Sequence, residues 1–154
     1  MNKHFLNLKE YGSTAVVDLV YGALELKKGS QQKNLNGKYL ALIFEKSSTR
    51  TRLSFEVAMN QLGGRASFLS VSDLQLGRGE PISDTAKVIS SMADGVVLRT
   101  LKHSTLEAFA ESSTSPIING LTNLSHPCQL LADMLTFIEH KGSLENKKVC
   151  WVGD

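Results

Sequence analysis

The chain has 154 residues, 42% of them hydrophobic and 21% charged, with a formal net charge of +2. That composition suits one domain with a real core. The charge is too small, and the lysines and arginines too scattered, for a nucleic-acid or membrane surface. The aromatic residues sit mainly in apolar runs rather than between basic ones, which also argues against nucleic acid. No run of about eighteen apolar residues marks a transmembrane helix, and Met1 to Leu6 lacks the apolar run and cleavage site of a signal peptide. Cys128 and Cys150 make neither a disulfide framework nor a zinc site, so a cytoplasmic location is expected.

Helical and strand patterns alternate, which predicts an α/β fold: an open, mainly parallel sheet of about four strands with helices on both faces. Val16, Leu19, Val20, Ala23 and Leu24 repeat at helical spacing. Asn36-Gly37 turns the chain into Tyr39 to Phe44, apolar on both faces like a central parallel strand. A helix is expected from Thr49 to Leu62, with Leu53, Val57, Ala58 and Leu62 inward and Gly63-Gly64 as its stop. Ala66 to Val71 reads as a weaker strand, and Ser72 to Pro81 as a charged loop. Ser83 is expected to cap a helix through Met92.

Gly95 to Leu98 is the next strand, ending at Arg99. Ser104-Thr105-Leu106-Glu107 has capping-box spacing and opens a short helix. Pro116 to Asn119 is a fourth strand. His126-Pro127 begins the last long helix, with proline at its favoured first position and Leu130, Leu131, Met134, Leu135 and Ile138 as the buried stripe. Lys147 to Val152 reads as a further buried strand with Gly153-Asp154 as its turn. The domain reading is therefore 1–146 as one domain and 147–154 as the first strand of a second, truncated one.

Ligands of an open parallel sheet bind beyond the carboxyl ends of its strands. Three polar groups fall there: Ser47 to Arg52, Arg99, and the run from Asn119 to His126. A helix N-terminus presents unpaired N–H groups and partial positive charge. With the hydroxyls of Ser48, Thr49 and Thr51 and the fork of Arg50, it makes a cradle for a phosphate dianion. A single Ser or Thr there would read as a cap alone. The segment lacks the Gly-x-x-x-x-Gly-Lys spacing of a nucleotide loop, so a small phosphate compound suits it better. His126 falls at a helix cap and Gln129 at its third position; they either donate to a carbonyl oxygen and accept from an –NH2 group, or serve as loop residue and capping-box partner. Cys128 is expected to be a small buried packing residue.

The run Phe44-Glu45-Lys46-Ser47-Ser48-Thr49-Arg50-Thr51-Arg52 resembles the Ser-Thr-Arg-Thr-Arg segment of aspartate and ornithine carbamoyltransferases. His126-Pro127-Cys128-Gln129 is similar to that family's His-Pro-x-Gln element. Phe44-Glu45-Lys46, the stretch from Leu76 to Ala86, and Asn119-Gly120-Leu121-Thr122 resemble the ornithine branch.

The resemblance, which covers essentially the whole chain, implies the carbamoyl-phosphate-binding half of a two-domain enzyme that turns ornithine into citrulline. It implies Ser48, Thr49, Arg50 and Thr51 on the phosphate, and Arg99 on phosphate and carbonyl oxygen. It puts His126 on that oxygen, Gln129 on the carbamoyl amine, and Pro127 and Cys128 in the site loop. Arg50, Arg99 and His126 would supply the electrostatic stabilisation. Gln75 would reach a neighbouring site in a homotrimer. No metal or organic cofactor is implied, and no ornithine-binding residue lies in this chain, so alone it should bind carbamoyl phosphate weakly and not turn over. A relative using putrescine or an acetylated ornithine, and a non-catalytic phosphate-binding or trimer-forming module, remain alternatives. Synthesis and breakdown of arginine are equally compatible with these residues.

Overall fold

The computed structural model describes residues 4–29, 34–70, 74, 79–150 and 152. Four strands, β1 (Tyr39–Phe44), β2 (Arg65–Ser70), β3 (Gly95–Arg99) and β4 (Ile117–Leu121), form a parallel sheet in the order β2-β1-β3-β4. The helices are α1 (Ser13–Lys28), α2 (Thr49–Gln61), α3 (Ile82–Met92), α4 (His103–Ser112) and α5 (Pro127–Lys141). The expected α/β architecture is borne out.

The central position of β1 explains its composition. Leu40, Leu42 and Phe44 face one way and join Phe55 and Met59 of α2, while Ala41 and Ile43 face the other and join Ala86 and Ile89 of α3 and Leu106 and Phe109 of α4. A strand covered on both sides has no polar face to keep. The outer edge of β4 is covered by the N-terminal segment: Phe5 N donates to Ile117 O and Asn119 N donates to Phe5 O. α1 packs against α5, and Leu19, Leu26, Leu131 and Leu135 line an apolar groove of about 700 Å³ between them.

Several local expectations differ from what forms. In α2 the inward side chains are Phe55, Met59 and Leu62; Leu53, Val57 and Ala58 are exposed. Arg52 takes the place of an apolar residue on that inward face, with its guanidinium carbon 4.2 Å from the Phe68 ring centre. α3 starts one residue before Ser83, on Pro81, so Ser83 is no cap. α4 likewise starts ahead of Ser104. Its first N–H, on His103, is satisfied by Asn123 Oδ1 at 3.0 Å, a partner twenty residues away in sequence. β4 begins at Ile117 and extends to Leu121. In α5, Leu130 is exposed while Leu131, Met134, Leu135 and Ile138 are half-buried.

The strand expected over Lys147–Val152 does not form among the described residues: Lys147 to Cys150 and Val152 are exposed and outside the sheet. Val71 to Asp73 and Gln75 to Arg78, in the predicted loop and at the end of the second strand, lie outside the described residues, as do Trp151, Gly153 and Asp154.

Gly64, buried between α2 and β2, has no room for a side chain. A Cβ there would lie 2.5 Å from Met59 Cε and 3.2 Å from the carbonyl oxygens of Leu35 and Lys38. Gly64→Ala is expected to lower stability by about 1–3 kcal/mol, measurable as a fall in the urea midpoint with an unchanged m-value.

Candidate functional site

The carboxyl ends of β1, β3 and β4 lie on one edge of the sheet. Beyond β1 the chain turns into α2 through Ser48, whose Oγ accepts from Thr51 N at 3.4 Å and donates to Thr51 Oγ1 at 3.0 Å. Arg99, at the end of β3, donates from Nη1 to the same Thr51 Oγ1 at 3.3 Å. Thr51 Oγ1 thus accepts twice, and its own proton is left for a ligand. The α2 N-terminus and the end of β3 are tied together by side chains 48 residues apart.

β4 contributes through a bulge. Leu98 pairs with Asn119 but Arg99 pairs with Leu121, so Gly120 is the extra residue. A Cβ on Gly120 would lie 3.0 Å from Val97 Cγ1 and 3.3 Å from Arg99 Cβ. Gly120→Ala is therefore expected to push on Arg99 and to weaken anion binding about three- to tenfold, with a stability loss of about 1–2 kcal/mol; phosphate titration and thermal melts read the two effects. Asn119, fully buried, shapes the loop that follows: Nδ2 donates to Leu6 O at 2.8 Å and Ser125 O at 3.3 Å, and Leu121 N donates to Oδ1 at 2.9 Å. That loop delivers His126, the N-cap of α5, with Pro127 at the first helical position.

Ser48, Arg50, Thr51, Arg99, His126, Cys128 and Gln129 line one pocket of about 400 Å³. Two of its polar atoms, Arg99 Nε and His126 Nδ1, are buried without a hydrogen-bond partner among the described residues. Each such atom costs roughly 1–3 kcal/mol unless something satisfies it. Burial lowers the Arg99 pKa from its ordinary value. Burial, and secondarily the Arg99 charge, also lower that of His126, against a smaller upward pull from Asp133. The imidazole is therefore neutral at pH 7.

Gln129 Nε2 donates to Asp133 Oδ1 at 2.8 Å, which leaves its Oε1 acceptor and its second N–H to offer a ligand. Burial pushes the Cys128 thiol up to about 11, and its Sγ lies 3.6 Å from Asn119 O as a donor. It is no nucleophile at neutral pH.

A model of the aspartate/ornithine carbamoyltransferase carbamoyl-P binding domain matches residues 3–139. The chain belongs to that family. It is 59% identical to the ornithine carbamoyltransferase of Hydrogenovibrio crunogenus, over 99% of this chain and 52% of that one. Among solved structures, anabolic ornithine carbamoyltransferase from Campylobacter jejuni is 52% identical with a TM-score of 0.85, over 90% of this chain and 45% of that one. The enzyme from Thermus thermophilus is 40% identical with a TM-score of 0.93, over all of this chain and 54% of that one. The chain spans about half the length of the curated relatives it matches.

Within this carbamoyl-P binding domain, two residues singled out from the sequence, Thr49 and Pro127, stand apart from the pocket lining. Thr49 is exposed at the first position of α2, Pro127 is buried beside the pocket, and Gln75 lies outside the described residues. The lining also includes Ser54, Phe55, Leu121 and Ala132, which composition gave no reason to select. Ser54 and Phe55 follow Thr51 by three and four residues, the helical spacing that returns a side chain to the same face. That signal was available.

Proposed function

We propose that this chain is the carbamoyl-phosphate-binding half of an ornithine carbamoyltransferase. The reading rests above all on the convergence of Arg99, His126 and Gln129 on one pocket with the α2 N-terminus and Arg50. A small acyl phosphate, with a carbonyl beside its phosphoryl group, offers acceptors for these donors.

The phosphate lies against the α2 N-terminus, held by Ser48, Thr49, Arg50 and Thr51, with Arg99 between phosphate and carbonyl oxygen. His126 donates to that oxygen, and Gln129 Oε1 accepts from the carbamoyl –NH2. The neutral δ-amine of ornithine attacks the carbamoyl carbon, the C–O bond to phosphate breaks, and citrulline and phosphate leave after the attacking nitrogen loses a proton. Negative charge grows on the carbonyl oxygen and the departing phosphate, where Arg50, Arg99 and His126 stabilise it without becoming covalently attached.

Ornithine is the acceptor favoured by the names of the most similar relatives, and it binds on a second domain that begins within 147–154. The enzyme works in the cytoplasm in arginine biosynthesis, as a homotrimer in which Gln75 completes a neighbouring site. Calorimetry tests the first half: the chain binds carbamoyl phosphate and inorganic phosphate but does not form citrulline. Assaying the full-length protein with ornithine, putrescine and N-acetylornithine tests the second. Absence of citrulline from ornithine ends the ornithine reading.

A further inference from the structure

Glu45 lies one residue past β1, outside the pocket lined by the cradle, yet it holds the end of β3 from two directions. Its N–H donates to Arg99 O at 2.8 Å. Its Oε2 accepts from Thr100 Oγ1 at 2.6 Å and from Leu101 N at 2.8 Å. From the other side Thr100 and Leu101 are held by β4 and its loop, through Thr100 N to Leu121 O at 3.1 Å and Asn123 N to Leu101 O at 2.9 Å. Among the described residues, the guanidinium they aim makes one long bond to the cradle, the 3.3 Å contact with Thr51. Its direction is therefore set by the backbone beneath it rather than by its own partners.

We propose that Glu45 is a positioning residue for Arg99: its carboxylate clamps Thr100 and Leu101 so that the Arg99 guanidinium points at the ligand before the ligand arrives. The proposal rests on the reading of the pocket as a carbamoyl-phosphate site only for its consequence, not for the clamp itself. The two donors hold the Glu45 carboxyl below its ordinary pKa, so the clamp is ionised throughout the neutral range.

An acceptor oxygen, rather than a charge, is what the clamp requires, and the two can be separated. Glu45→Gln keeps a carbonyl oxygen in place of Oε2; Glu45→Ala removes it. Glu45 is exposed, so both variants should fold; Glu45→Gln should melt close to the parent and Glu45→Ala, which leaves Thr100 Oγ1 and Leu101 N without this acceptor, somewhat lower. Isothermal titration with inorganic phosphate and with carbamoyl phosphate is expected to show Glu45→Ala binding about tenfold more weakly and Glu45→Gln within about threefold of the parent. In an Arg99→Ala background, adding Glu45→Ala should have no further effect, since the target of the clamp is gone.

If Glu45 acted by repulsion alone, both single variants would bind phosphate more tightly than the parent, and the inference would be overturned. Equal loss in the presence and absence of Arg99 would overturn it too. The ligand-free readout is the Nε–H resonance of Arg99: it should shift and broaden in Glu45→Ala and stay near the parent position in Glu45→Gln. An unchanged resonance in Glu45→Ala refutes the clamp whatever the ligand. A parent chain that binds neither phosphate nor carbamoyl phosphate refutes the functional reading, while that resonance still decides the clamp.

Discussion

Arg50→Ala is expected to weaken carbamoyl phosphate binding at least about 100-fold, the equivalent of about 2.7 kcal/mol. Loss of one charged hydrogen-bonding partner of a phosphate accounts for about 1.5–3 kcal/mol. The two-pronged geometry of guanidinium against a phosphate puts Arg50 at the upper end of that range. Arg50 is exposed on the first turn of α2, so the melting temperature should hold within the scatter of surface substitutions. Arg50→Lys retains charge without the fork and should recover only part of the affinity. Titration calorimetry on the three proteins separates the outcomes. If Arg50→Ala binds as the parent does, Ser48 is a helix cap and nothing more.

The residues that carry this prediction were legible because they are local. Ser48 to Arg52 is a contiguous signal, and a helix mouth follows from the strand before it and the periodicity after it. β1 was equally plain, since six apolar residues in a row have one natural place in a parallel sheet. The α2 inward face was misread because apolar letters were weighed alone. Arg52, Phe55 and Met59 make the line that faces the sheet, and its first member is an arginine whose guanidinium lies over Phe68.

Caps failed for a related reason. Ser104 lies inside α4 rather than at its cap, and the helix's first N–H, on His103, is satisfied by Asn123, a partner supplied by another loop once the sheet has formed. Glu45 belongs to the same class. Its partners lie 55 and 56 residues away, so nothing in its neighbourhood distinguishes it from an ordinary surface carboxylate. Local chemistry is readable along the chain, whereas bonds between loops exist only after the strands are ordered β2-β1-β3-β4.

His126→Ala in the full-length enzyme is expected to lower kcat about 100- to 1,000-fold, the range for loss of one donor to a developing oxyanion. The effect falls on kcat more than on the KM for carbamoyl phosphate, because the bond strengthens as charge reaches the carbonyl oxygen and is weaker in the ground state. The lowered His126 pKa decides what kind of donor this is. A neutral imidazole donates through one nitrogen, and it needs no proton from solution to do so at pH 7.

Folded and unfolded chains bind that proton differently, which fixes the sign of the pH effect. Below the ordinary value of 6.5 the unfolded chain protonates His126 while the folded chain does not. Stability therefore falls as pH drops from 6.5 to the lowered folded value. The Glu45 carboxyl adds to the same trend further into acid: its contribution is present above the ordinary carboxylate value and is lost as pH falls through its lowered one. NMR titration of the His126 ring should give a midpoint below 6.5 in the free chain, moving upward when phosphate binds and brings negative charge beside Arg99. A midpoint at or above 6.5 in the free chain would make His126 a partly cationic donor, and kcat would then track its ionisation across the neutral range.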